Sequence, residues 1–255
     1  MSEPRLQEAR DGAVLVLTMD YPARRNALAM PLRLALEDAL ERAHADSGVR
    51  AVVLTGAGGV FCSGGDISGM DVKSAMDGRE RMRRTHRFLR LMAKGGLPIV
   101  AAVEGWCVGA GMSLACACDT IVAAEDARFM AGFHKIGLMS DLGLPFFLPR
   151  RVSVGRARRI LFYHEQIAAP EAERIGLVDF LAPKDGALAA ALEKAHFLAK
   201  EAPGPIRLTK QMLAEGLDEA LEQEKTYQGL LFTTADFAEG RDAFLNKRTP
   251  EFKGG

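Results

Sequence analysis

The chain has 255 residues, 48% of them hydrophobic and 26% charged, enough to bury a large core in one main domain with an appendage. Its 33 Lys and Arg balance 33 Asp and Glu, so no overall field draws it to nucleic acid or to an anionic membrane surface. The polar start Met1-Ser2-Glu3-Pro4-Arg5, with no apolar run near the ~20 residues that span a bilayer, predicts a cytoplasmic protein; Cys62, Cys107, Cys116 and Cys118 lack Cys-x-x-Cys spacing and predict reduced, semi-buried thiols rather than a zinc site.

Val14 to Met19 reads as a strand, and Pro31 opens an amphipathic helix with Leu32, Leu36, Ala39, Leu40 and Ala43 on one face. Ala51 to Thr55 is the next strand, ending at Gly56, and the segment from Lys73 to Lys94 carries Met76, Arg79, Arg83, Phe88 and Leu91 at helical spacing. Pro98 to Val103 has the continuous apolar character of a strand buried on both faces; a short buried helix at Ala110 to Ala117 and a strand at Thr120 to Ala124 follow. This alternation, repeated at least three times before residue 130, predicts an α/β layered fold. From Ala187 onward the strand signals stop, and Ala187 to Lys200, Pro205 to Glu215, Leu217 to Thr234 and Ala238 to Asn246 read as helices. The expected division is an α/β core over residues 1–198 and a C-terminal helical region over 199–255, an assembly or lid element.

Gly56-Ala57-Gly58-Gly59 looks like a nucleotide motif, but no Gly-Lys-Ser/Thr follows and Phe61 stands at the third glycine position of a dinucleotide fingerprint. A P-loop or a Rossmann site is excluded on those grounds. Two other glycine-rich turns, Phe61-Cys62-Ser63-Gly64-Gly65-Asp66 and Gly109-Ala110-Gly111, each join an apolar strand to a helix. Small residues there let the backbone approach a ligand, and amides freed at a helix start can donate to an oxygen that becomes negative during reaction. With Asp141 downstream, the pattern points to an oxyanion hole served by one acid/base.

Phe61 to Ile67 and the run Glu104-Gly105-Trp106-Cys107-Val108-Gly109-Ala110-Gly111-Met112-Ser113-Leu114-Ala115 resemble the enoyl-CoA hydratase/isomerase (crotonase) family. So do Pro22 to Leu28, Cys118-Asp119, Ala172 to Val178 and Gly240 to Arg248, so the likeness covers nearly the whole chain. The resemblance implies a crotonase-like spiral of ββα units with a C-terminal helical trimerisation region, assembled as a homotrimer or homohexamer. It implies an acyl-CoA thioester as substrate, coenzyme A being part of that substrate, with no metal or redox cofactor. The thioester oxygen is expected between the N–H groups of Gly65 and Ala110. Arg24 is the candidate for the CoA phosphates and Ser63 for the adenine, with Phe244 and Lys247 closing that end, often from a neighbouring subunit. Gly64, Asp66, Ile67, Ser113 and Phe133 complete the substrate-binding positions, Asp66 also being expected to cap the helix that follows.

The departures from the family pattern bear on the reaction. Hydratases of the family carry two glutamates, at the slots that here hold Ser113 and Phe133. Adding water takes a base for the water and an acid for carbon, each contributing roughly 10²–10⁴-fold. Phe133 supplies neither. Asp141, in Gly137-Leu138-Met139-Ser140-Asp141-Leu142-Gly143, fills a slot that is usually glycine in hydratases and aspartate in several isomerases; the run to Arg150 is closest to the ring-epoxide phenylacetyl-CoA isomerase type. The leading expectation is an acyl-CoA isomerase that shifts a double bond with Asp141 as proton shuttle, in fatty-acid or aromatic-acid catabolism. The alternatives are a hydratase-type lyase, a hydrolase or dehalogenase with Asp141 as nucleophile and His134 or His86 as its base, and a non-catalytic acyl-CoA binder. Asp141 as a plain helix cap, His86 on a solvated or CoA-facing helix, and His134 at the surface are the unremarkable readings beside these.

Overall fold

Two antiparallel strands, β1 (Arg5–Asp11) and β2 (Val14–Asp20), start the chain. Pro31 lies in the first turn of α1 (Met30–Ala45), where a missing N–H costs nothing, and the helix buries Leu32, Leu36, Ala39, Leu40 and Ala43 as its spacing predicts, together with Arg33. Then come β3 (Ala51–Gly56) and α2 (Ala75–Lys94), the latter capped by Ser74, whose Oγ accepts from the Asp77 amide at 3.1 Å. Its inner stripe is Gly78, Met82, Thr85, His86, Leu89 and Met92, whereas Met76 is exposed. The structure, a computed structural model, describes residues 3–255; Met1 and Ser2 of the polar start lie outside the described residues.

Next are β4 (Ile99–Val103), β5 (Trp106–Val108), α3 (Ala110–Cys116), β6 (Thr120–Ala124) and β7 (Arg128–Met130). After them run α4 (Leu144–Arg151), α5 (Val154–Tyr163), β8 (Ile167–Ala168), α6 (Ala169–Arg174) and β9 (Phe180–Ala182). Four helices end the chain: α7 (Ala187–Lys200), α8 (Pro203–Leu213), α9 (Leu217–Leu231) and α10 (Ala235–Leu245). Strands of two or three residues carry too little periodicity to be read from sequence, which is why β5, β7, β8 and β9 had no counterpart among the expected elements.

The large sheet has the order β1-β2-β3-β4-β6-β9, parallel from β2 onward, and β5-β7-β8 form a small second sheet. β4 and β3 as far as Leu54 are apolar throughout because both faces of the large sheet are covered. Leu15, Val52, Leu54 and Ile99 face the core built with α1 and α2, while Val14, Val16, Val53, Val100 and Ala102 pack against Ala191 and Ala195 of α7. The chain advances as a spiral: a strand in the large sheet, a short segment in a second layer, then a helix. Within that layer Leu28 bridges Gly65, Cys62 bridges Cys107, and β5 pairs with β7, so the ends of the short segments from successive turns lie side by side. This is the α/β architecture expected from the alternating pattern.

No helix among the described residues is long and apolar enough to cross a membrane. All four cysteines are free and buried, and burial pushes their thiols up, Cys62 to about 11 and Cys116 to about 12, leaving them protonated.

Candidate active site

The two glycine-rich turns meet because they end neighbouring turns of the spiral. Gly64 has φ +113°, and a Cβ added there would lie 3.3 Å from the Val108 oxygen and 4.0 Å from the Ala110 nitrogen. A Cβ at Gly111 would stand 2.5 Å from the Cys62 carbonyl oxygen, a clash with backbone. Glycine at both positions is therefore what lets the segments touch. Ala110 opens α3, so its amide has no intrahelical acceptor, and among the described residues the Gly65 amide also has none. Two free N–H groups at the junction of two packed turns are the geometry of an oxyanion hole. The Met70 methyl lies against Gly65, 2.7 Å from where a Cβ would be.

Asp141 lies in a turn that carries Leu142 at φ +56° and Gly143 at φ +71° before α4. Its side chain caps no helix; Gly143 is the capping residue, and only the Asp141 main-chain oxygen accepts from Leu144, at 3.2 Å. The carboxyl is 6% exposed, accepts from Gln228 Nε2 at 3.2 Å through Oδ2, and leaves Oδ1 without a partner. Burial first, and then the facing Glu224 carboxylate, push its proton affinity up to about pH 7 against the pull of Arg33, Gln228 and Arg81.

Residues that sequence reasoning missed hold this turn from α9 and from beneath. Glu224, 4% exposed, accepts from the amides of Leu142 and Gly143, each at 2.8 Å, and its Oε1 lies 2.7 Å from His86 Nε2. Gln228 Nε2 also donates to the Met139 carbonyl at 3.2 Å. Arg33, 3% exposed, donates from Nε to the Leu28 carbonyl at 3.0 Å and from Nη1 to Thr85 Oγ1 at 2.7 Å. The one signal was polar residues, Arg33, Thr85, His86, Glu224 and Gln228, falling on helical positions that their neighbours show to be buried.

His86 is a correction: it is buried against Glu224 on the inner stripe of α2, whose solvated face carries Arg83, Arg84 and Arg87 instead. His134 is half-buried, its ring 5.1 Å from that of His164 and 6.2 Å from that of Phe162. Neither histidine is hydrogen-bonded to Asp141 among the described residues. Ser113 is fully buried and donates from Oγ to the Gly109 carbonyl at 3.3 Å, and Phe133 packs 4.0 Å from the Gly109 Cβ position. Asp66 accepts from the Ser68 amide at 3.1 Å, capping the 3-10 turn Ile67–Gly69, whose first and second carbonyls take bonds from Arg241 of α10. Ser63 Oγ donates to the Arg24 carbonyl at 2.8 Å, which joins those two residues at one corner, with the Arg24 side chain exposed. Phe244, 58% exposed, and Lys247, at φ +55°, stand at and beyond the end of α10 without a hydrogen bond to that corner among the described residues.

A family model described as enoyl-CoA hydratase/isomerase matches residues 9–255. The chain belongs to that family. The 2,3-dehydroadipyl-CoA hydratase of Escherichia coli K12 is 37% identical over 250 residues, covering 96% of this chain and 97% of that protein. The 1,2-epoxyphenylacetyl-CoA isomerase of the same organism is 32% identical over 249 residues, covering 94% and 95%. A crystal structure of an enoyl-CoA hydratase from Mycobacterium avium subsp. paratuberculosis K-10 superimposes with a TM-score of 0.87 at 33% identity, covering 97% of this chain and 98% of that one. In this enoyl-CoA hydratase/isomerase family member the spiral is the crotonase fold.

Proposed function

We propose that the protein is an acyl-CoA isomerase that shifts a double bond along the acyl chain, with Asp141 as proton carrier and the amides of Gly65 and Ala110 as oxyanion hole. The observation that carries this reading is the buried Asp141 carboxyl, held near neutral proton affinity with one oxygen free, in a site whose two glutamate slots hold Ser113 and Phe133. On a 3-enoyl thioester the Asp141 carboxylate takes a proton from C2. The C–H electron pair enters a dienolate whose oxygen lies on the two amides, and the protonated Asp141, its proton exchanging with solvent, then delivers a proton to C4, leaving the double bond between C2 and C3. One group does both transfers, and a proton affinity near the working pH suits it to each. Fixed amides stabilise the dienolate without reorganising; one such donor is worth roughly 3–4 kcal/mol.

Coenzyme A enters this reading as part of the substrate, along the Arg24–Ser63 corner. A trimer or a pair of trimers belongs to the same proposal, supported by exposed Leu208, Met212 and Leu213 on α8, and sedimentation measures it. Hydration is the second reading, favoured by relatives named hydratases, among them the 2,3-dehydroadipyl-CoA enzyme. It requires a second acid/base, and Glu224, the buried carboxylate acting on Asp141, has both oxygens engaged by amides and Oε1 also by His86.

The test follows solvent deuterium into 3-enoyl-CoA and 2-enoyl-CoA thioesters by mass spectrometry. Wild type incorporates deuterium as the double bond moves, and Asp141→Asn loses roughly 10²–10⁴-fold in rate. Exchange at the wild-type rate in the variant would remove Asp141 from the mechanism, and rapid hydration by the wild type would favour the second reading.

A further inference from the structure

The buried cations among the described residues are not all held in the same way. Lys210 donates to Asp119 Oδ2 at 2.5 Å and to the Leu97 carbonyl at 2.8 Å, and Arg151 reaches Asp179 at 3.0 Å. Arg33 is as buried as Lys210 and has only neutral acceptors, the Leu28 carbonyl and Thr85 Oγ1. Thr85 Oγ1 in turn donates to the carbonyl of Arg81, one helical turn earlier, and the half-buried Arg81 guanidinium has only the Gly69 carbonyl, at 3.3 Å. No carboxylate forms an ion pair with either guanidinium among the described residues. Arg81 is close enough to weaken the hold of Arg33 on its proton. Guanidiniums gathered in a protein interior with no carboxylate in contact leave donors that an anion can take.

The position of the pair says where that anion belongs. Arg33 Nη2 is 3.7 Å from the Gly65 Cβ position, and a Cβ lies about 2.5 Å from its own nitrogen, which puts Nη2 within about 6 Å of the Gly65 amide. A guanidinium so near the thioester-binding amide reads a group a few bonds along the acyl chain. The acidic groups around the pair act on it through space without touching it: Asp141 is held towards its neutral form, Asp66 is hydrogen-bonded to Ser68, and Glu224 is held by two amides and His86. On the adjoining turn, Ser140 Oγ and Asp141 Oδ1 are buried without a partner, an interior too polar for a plain hydrocarbon chain.

We propose that Arg33 and Arg81 form a carboxylate subsite, so that the preferred substrate is the CoA thioester of a short dicarboxylic acid, its free carboxylate lying between the two guanidiniums. This rests on the reading of the site as an acyl-CoA site. Planar guanidiniums suit a carboxylate's two oxygens, and a charged hydrogen bond in a buried pocket discriminates strongly against a methyl group.

Adipyl-CoA and hexanoyl-CoA, saturated and equal in chain length, test it by titration calorimetry without any turnover. Adipyl-CoA binds at least tenfold tighter to the wild type; the ratio of the two affinities falls towards one in Arg81→Met and in Arg33→Met, and Arg81→Lys keeps part of it. Arg81→Met preserves the test if the more buried Arg33 variant does not fold. Hexanoyl-CoA binding as tightly as adipyl-CoA, or a ratio unmoved by both methionine variants, overturns the subsite and leaves the thioester site standing. Failure of the wild type to bind either thioester overturns both.

Discussion

Replacing Asp141 by Asn shifts stability in the variant's favour as pH rises. The side chains are nearly isosteric, and an Asn oxygen can still accept from Gln228 Nε2. The aspartate's proton affinity rises from 3.8 to about 7 on folding, because burial and the facing Glu224 penalise the charged form. For a carboxyl raised in this way the folded state holds the proton while the unfolded state has lost it, so stability is fully present below pH 3.8, declines through the interval up to about 7, and is flat above. At 1.36 kcal/mol per unit the whole interval amounts to about 4 kcal/mol. The neutral Asn escapes that loss, so the variant's advantage attributable to ionisation is about 1.5 kcal/mol at pH 5 and about 4 kcal/mol at pH 8. Urea unfolding of both proteins across that range, at one protein concentration, measures the difference, and the titrating groups that do not interact with Asp141 cancel between them. An advantage equal at pH 5 and pH 8 would refute the reasoning, because it would mean that Asp141 ionises inside the fold as readily as outside.

Glu224→Gln removes the like charge that faces Asp141, so the acidic limb of the exchange rate against pH moves to lower pH; a limb that stays in place would show that burial alone sets Asp141. The same substitution leaves one of the Leu142 and Gly143 amides without its acceptor and lowers stability by about 1–3 kcal/mol, read from thermal or urea unfolding. Gly111→Ala drives a methyl into the Cys62 backbone and costs about 1–3 kcal/mol or more, whereas Gly65→Ala meets only the movable end of Met70 and costs less; urea midpoints in the reverse order would refute the packing of the two turns.

The parts of this molecule legible in its sequence are those where one physical requirement repeats over a long enough window. β4 and β3 as far as Leu54 are continuous apolar runs because a parallel sheet is covered on both faces, and α1 shows its inner face through Leu32, Leu36, Leu40 and Ala43. The glycines of the two turns are legible for a related reason: backbone touches backbone there, and only glycine permits it at Gly64 and Gly111. The strands β5, β7 and β8 leave no such trace, being two or three residues long and defined by their neighbours. The support of Asp141 is hidden for a different reason. Glu224 and Gln228 lie 83 and 87 residues downstream on a helix whose charged sequence reads as solvated, and their partners are main-chain amides and carbonyls, which any residue type supplies. Proton affinity at Asp141 is thus set by tertiary contacts that no local pattern encodes. The aspartate can be located from the chain by its place after the glycine turns, but its chemistry comes from α9 closing over it, and a substitution on that helix changes the reaction while leaving every recognisable motif intact.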